Sequence, residues 1–181
     1  NGSENFSPDK RFGFFPAFGI GWAVSNESWW TPLQDVVSYF KVRYTDGLVG
    51  TDAVTGRRFM YLDQMASVDG YRFGDQNNSV GGWGFSKYGA NVGWSTSRKQ
   101  DLGVDLKFFK DNLSLTFDVF KEHRKDIFIT RRVIPDYSGF VEMPYANLGV
   151  VDNKGFEATL EYTQQLGKQC FLTVRGNFSW N

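Results

Sequence analysis

The sequence predicts an all-β fold of antiparallel, amphipathic strands. Three observations carry this. Apolar residues recur with a period of two, not 3.6, along most of the chain. Phe, Tyr and Trp make up 18% of the residues while all hydrophobic types together reach 41%, so aromatic rings supply an unusually large share of the apolar surface. The connections between alternating runs are short and long by turns, and the short ones carry Asp, Asn or Gly turn signals.

The first run spans 14–24, where Phe14, Pro16, Phe18, Ile20 and Trp22 oppose Phe15, Ala17, Gly19, Gly21 and Ala23. A moderate connection follows at 25–36, and 28–37 has room for one short helical turn with Pro32 near its start. The second run lies within 37–49, with Phe40, Val42 and Tyr44 against Lys41, Arg43 and Thr45. Residues 51–98 show no clear strand pattern and read as one long loop. Within 100–109, Leu102, Val104, Leu106 and Phe108 oppose Gly103, Asp105 and Lys107. Lys110-Asp111-Asn112 then reads as a tight hairpin turn. The run 113–129 opens with Leu113, Leu115, Phe117 and Val119 against Ser114, Thr116 and Asp118. A second long loop is expected at 130–153, with Asp152-Asn153-Lys154-Gly155 read as a turn entering the next strand. Phe156, Ala158, Leu160 and Tyr162 then oppose Glu157, Thr159 and Glu161. After the turn Gln165-Leu166-Gly167-Lys168, Leu172, Val174, Gly176, Phe178 and Trp180 oppose Thr173, Arg175, Asn177 and Ser179.

The polar face of these strands bears full charges: Lys41, Arg43, Asp105, Lys107, Asp118, Glu157, Glu161 and Arg175. Alternation alone leaves two folds open. A soluble β-sandwich, as in a carbohydrate-binding or adhesin module, turns its apolar face inward. A membrane barrel turns that face outward, and its strands need about ten residues to cross. The aromatic excess, and short turns at one end with long loops at the other, favour the barrel.

Composition excludes much else. Lys and Arg total 20, as do Asp and Glu, so the chain lacks the basic excess of a nucleic-acid binder. Cys170 has no intrachain partner, and with His123 alone it cannot build the usual zinc site, so no metal and no cofactor are expected. His123, beside Glu122 and Arg124, reads as a strand-rim residue. Asp63, Asp69 and Asp75 are too sparse for a calcium loop. Asp118, Glu157 and Glu161 resemble a glycosidase carboxylate pair only superficially; on alternating strands they pair with Arg or Lys across the sheet. No catalytic residue is expected. Gly19-x-Gly21 lacks the rest of a dinucleotide fingerprint, and the N-x-S/T triplets at Asn5, Asn26, Asn77, Asn112 and Asn177 are chance. No run of about 18 apolar residues makes a transmembrane helix. A chain opening at Asn1 without Met and stopping at Asn181 in a strand-like run is expected to be a fragment.

Specific motifs add to this. Arg11-Phe12-Gly13-Phe14-Phe15-Pro16-Ala17, then Gly21-Trp22 and Ser25-Asn26-Glu27, resembles the RWGFFPS…GWRISNE stretch of SusC/RagA-type TonB-dependent outer-membrane transporters. Asn1-Gly2-Ser3 through Phe6 resembles the strand end before it. Phe40-Lys41-Val42-Arg43-Tyr44 with Gly47 and Gly50 is similar to LKLRASYGxxGN, and Lys125-Asp126-Ile127 to the KD that ends a paired strand. Asn147-Leu148-Gly149, then Asn153-Lys154-Gly155-Phe156-Glu157, resembles NxGxxxNKGFE. Asp46-Gly47 and Thr51-Asp52 depart from the pattern at a strand end.

The resemblance implies a stretch of wall from a barrel of about 22 strands, with the plug domain and the TonB-contacting segment lying elsewhere. It implies outer-membrane localisation, contact with outer-membrane lipid, and non-enzymatic import of oligosaccharides or peptides with a SusD-like lipoprotein and the TonB complex. The long loops 51–98 and 130–153 would face outside. Within the first of these, Tyr71, Trp83, Tyr88 and Trp94 are the candidate substrate contacts, because aromatic faces stack on sugar rings and peptide side chains.

Overall fold

The computed structural model describes residues 1–53, 58–74, 78–135, 137, 143–167 and 170–181, with backbone alone at 71, 73, 78 and 79. Among the described residues eight strands form: β1 (Ala17–Ala23), β2 (Val37–Thr51), β3 (Gln64–Phe73), β4 (Asn78–Lys87), β5 (Ser95–Phe108), β6 (Leu113–Thr130), β7 (Tyr145–Gln165) and β8 (Phe171–Trp180). Six of them make one sheet in the order β1-β2-β5-β6-β7-β8, and β3 pairs with β4 alone. The expected helical turn appears as two short 3-10 turns, Val24–Asn26 and Ser28–Leu33, with Pro32 inside the second.

The chain divides into two compact units. One comprises Phe15–Val49, Ser97–His123 and Val151–Asn181, and holds the alternating strands. Its pairing follows the alternation. In β1 against β2, Ile20 faces Tyr44 and Trp22 faces Val42; in β7 against β8, Leu160 faces Gly176 and Glu161 faces Arg175. The apolar face stays open: Ile20 is 69% exposed, Leu160 49% and Val174 57%. A sandwich would bury these side chains against a second sheet. An open apolar face beside a charged one is what a membrane barrel wall requires, so the sandwich expectation gives way.

On the charged face, Arg43 reaches Asp105 at 3.3 Å and, across β5, Asp118 at 2.5 Å, with Asp101 at 3.6 Å. It crosses above Gly103, where an added Cβ would collide with both the guanidinium and the Asp118 carboxylate. Glu161 pairs with Arg175 at 3.0 Å, and Asp46, almost wholly buried, receives two bonds from Arg98 at 3.1 and 2.7 Å. The carboxylates expected to pair across strands thus do so at Asp118 and Glu161. His123 accepts or donates through Nδ1 to Asp152 at 2.6 Å on an exposed stretch. In the β5–β6 turn Phe109, Lys110 and Asp111 all take positive φ, so the hairpin is tight, as its Asp-Asn signal predicts.

The strands differ from expectation mostly in length. β7 begins at Tyr145, so Asp152-Asn153-Lys154-Gly155 lies inside a strand and is not a turn. Ladder pairing overrides turn composition there, and the expected loop 130–153 gives way to strand from Tyr145 onward. The stretch 51–98 contains the β3–β4 hairpin, which the sequence pattern missed. Its period is broken by glycines at 81, 82 and 84 and by register shifts between Gln64/Met65 and Val68/Tyr71.

Candidate functional site

The second unit comprises Asn1–Phe14, Gly50–Thr96 and Arg124–Val150, and it holds the candidate contact residues. It has a small core of its own. Phe6, Ala90, Val92 and Phe128 are buried together, flanked by Met60, Trp94 and Tyr145. Phe6 meets Trp94 edge-on at 5.2 Å, and Phe128 stacks on Tyr145 at 4.9 Å and 9°. Burial of rings in such pairs adds to the area term and fixes their orientation.

Polar anchors tie the segments to this core. Asn147 accepts from the Gly93 N–H at 2.9 Å, and its amide donates to the Gly93 carbonyl at 2.9 Å and the Asp126 carbonyl at 2.6 Å. Asp126 has φ +57°, a left-handed conformation that Asp tolerates better than most residues. The Lys-Asp and Asn-x-Gly motifs therefore meet: one turns a carbonyl out of β6 and the other captures it. Gly89 N–H donates to Asp63 at 2.6 Å and Ala90 N–H to the Met60 carbonyl at 2.8 Å, which closes the chain below the hairpin.

The β3–β4 hairpin needs Gly70, where any Cβ would overlap the Val80 carbonyl at the register shift. Met65 opposes Phe85 and Ser67 opposes Trp83, so these four share a face. Trp83 on that face is 76% exposed. Tyr88 lies 5.5 Å from Phe85, tilted by 30°. It lines a cleft of about 220 Å³ with Arg58, Phe59, Leu62, Lys87 and Tyr145. Trp94 lies elsewhere in the unit. Its indole N–H donates to the Lys10 carbonyl at 3.1 Å, and it borders a wider cleft of about 470 Å³ with Lys10, Asn91 and Asn147. Tyr71 pairs with Val80 through its backbone, and its side chain lies outside the described residues, as does Asp75. Trp83 and Tyr88 are thus neighbours of Phe85, whereas Trp94 is tied to the core. Arg58, Lys87 and Tyr145 were not singled out in the sequence. Single cations such as Arg58 and Lys87 carry no local signal, and Tyr145 lies in what reads as loop.

Among the described residues, no group of three His, Cys, Asp or Glu side chains could hold a metal ion, and no helix is long and apolar enough to cross a membrane. The arrangement offers stacking surfaces, amide donors and two cations.

Comparison with known proteins decides the family. The family described as TonB dependent receptor-like, beta-barrel, matches residues 1–181. The chain belongs to that family. It is 30% identical to TonB-dependent receptor P3 of Formosa agariphila over 183 residues, covering 100% of this chain and 17% of that protein. It is 26% identical to TonB-dependent receptor SusC of Bacteroides thetaiotaomicron over 186 residues, covering 100% of this chain and 18% of that protein. The chain thus spans under a fifth of the length of these relatives. A structure of the RagAB peptide importer in its closed-closed state superposes with a TM-score of 0.81 at 19% identity, over 99% of this chain and 19% of that one. The open-open state gives 0.78 at 20% identity, over 98% and 18%. The six-stranded sheet is therefore part of the wall of an outer-membrane TonB-dependent receptor barrel.

Proposed function

We propose that the whole protein imports a nutrient across the outer membrane, powered by the TonB complex, and works with a SusD-like surface lipoprotein. The family match along residues 1–181 carries this reading. The charged face of the wall lines the lumen, and Phe117, Leu160 and Val174 meet acyl chains. The unit that holds the β3–β4 hairpin faces outside, within the stretch 51–98 and the connection between β6 and β7, and there Tyr71, Trp83, Tyr88 and Trp94 meet substrate or partner. The substrate is an oligosaccharide or a peptide. The likeness to SusC and to a structure described as a peptide importer supports import without choosing between the two. No residue of the chain performs covalent chemistry; energy enters through the plug.

The test shortens 51–98 in the full-length protein by removing 64–87. Uptake should fall while heat-modifiable gel mobility, which reports barrel assembly, stays unchanged, because loop deletions cost little. Lost assembly would overturn the assignment of this stretch to an external loop. Uptake that persists without TonB would overturn the transport reading.

A further inference from the structure

Resting on that import reading, we propose that the cleft between Arg58 and Lys87 takes one carboxylate-bearing residue of the imported chain: a uronate of an oligosaccharide, or an acidic or C-terminal residue of a peptide. Its described lining carries two cations and no anion. Arg58 sits over the Phe59 ring at 5.9 Å and pairs with Glu4, but both partners are well exposed, at 70% and 56%. Pairs that exposed contribute little, so an incoming carboxylate can displace Glu4 from the guanidinium, whose planar fork suits a carboxylate. Lys87 ends β4 opposite Gln64, and among the described residues it has no anionic partner.

The rest of the lining mixes apolar and polar groups. Leu62, Tyr88 and Tyr145 belong to it, and Tyr145 is held by its stack on Phe128. A cavity of about 220 Å³ is smaller than the roughly 300–1,000 Å³ of whole-ligand sites, so it seats one ring or side chain of a longer substrate. The cleft therefore selects for charge at one position and leaves the rest of the chain to other contacts.

The test uses the full-length protein in lipid nanodiscs and two probe pairs, one member of each bearing a carboxylate and the other a neutral polar group in its place. One pair is a galacturonate trisaccharide and its galactose counterpart; the other is a Glu-containing, C-terminally amidated tripeptide and its Gln counterpart. Titration calorimetry should show the charged member of one pair binding about tenfold more tightly than its twin, the increment of one charge-assisted hydrogen bond. The pair that responds identifies the source of the carboxylate. Combining Arg58→Gln with Lys87→Gln should erase the preference and leave binding of the neutral twin and gel mobility unchanged. Equal affinities within both pairs, a preference that survives the double substitution, or no binding by either pair would each overturn the proposal. TonB-dependent uptake of the native nutrient, followed in the same double variant, reports separately on the import reading.

Discussion

The two units are built on opposite rules. The strand unit keeps hardly any hydrophobic core: its apolar face is open, with Ile20, Val174 and Trp180 each more than half exposed. The other unit encloses Phe6, Ala90, Val92 and Phe128 and fastens its segments through Asn147, Asp63 and the Lys10 carbonyl. The first is stable only with lipid as its second layer, because water against so large an apolar surface is costly. The second carries its own packing. One chain thus mixes a part folded by its solvent with a part folded by its own contacts.

The sharpest break in that contrast is Phe117→Arg. It should cost about 2–4 kcal/mol if Phe117 lies near the bilayer midplane, whereas Thr116→Arg, one residue away, should be far milder. Denaturant titration of the full-length protein in liposomes reads both. Equal costs would mean that lipid does not meet one face alone. Gly103→Val should come next, at about 1–3 kcal/mol, because the new side chain fills the path of Arg43 toward Asp118 and must push them apart. Asn147→Ala should cost about 1–3 kcal/mol through the donors and acceptors it leaves unpaired. That loss should show as faster hydrogen exchange at Gly93 with no change in the strands 151–165 or 171–180; slowed assembly of the wall would blur the distinction between units. Trp83→Ala should change stability by less than about 0.5 kcal/mol, since the ring is largely exposed, yet weaken substrate or lipoprotein binding. Unaltered binding and uptake would remove Trp83 from the contact surface.

Much of the wall was legible because period-two alternation is a direct image of one lipid face and one wet face. The positions of β1, β6 and β8 follow from Ile20, Phe117 and Val174 with little error, whereas β5 begins at Ser95, inside the stretch that reads as loop. The start of β7 was hidden because Val150 and Val151 are adjacent apolar residues and Asp152-Asn153-Lys154-Gly155 has the composition of a turn. The β3–β4 hairpin was hidden by its own glycines and register shifts, which erase the period over the residues that pair. The candidate aromatics could be chosen as a group but not sorted. Nothing local distinguishes Trp83, which stands in solvent, from Trp94, whose indole reaches a carbonyl 84 residues back in the sequence. That separation is made by tertiary packing, as is the pairing of Asp126 with Asn147.

The seat at Gly103 has a consequence for how the wall settles on a single alignment. Sliding a strand by one residue turns its oily side chains toward the wet face, so hydrophobicity forbids odd errors. Sliding by two restores the faces, and alternation is blind to it. With β5 moved by two, Asp101 or Asp105 would stand in place of Gly103, and its side chain would crowd the path from Arg43 to Asp118. The missing side chain acts as a notch and the arginine as its key: the oily stripe rejects odd misalignments, and the lock rejects the even ones.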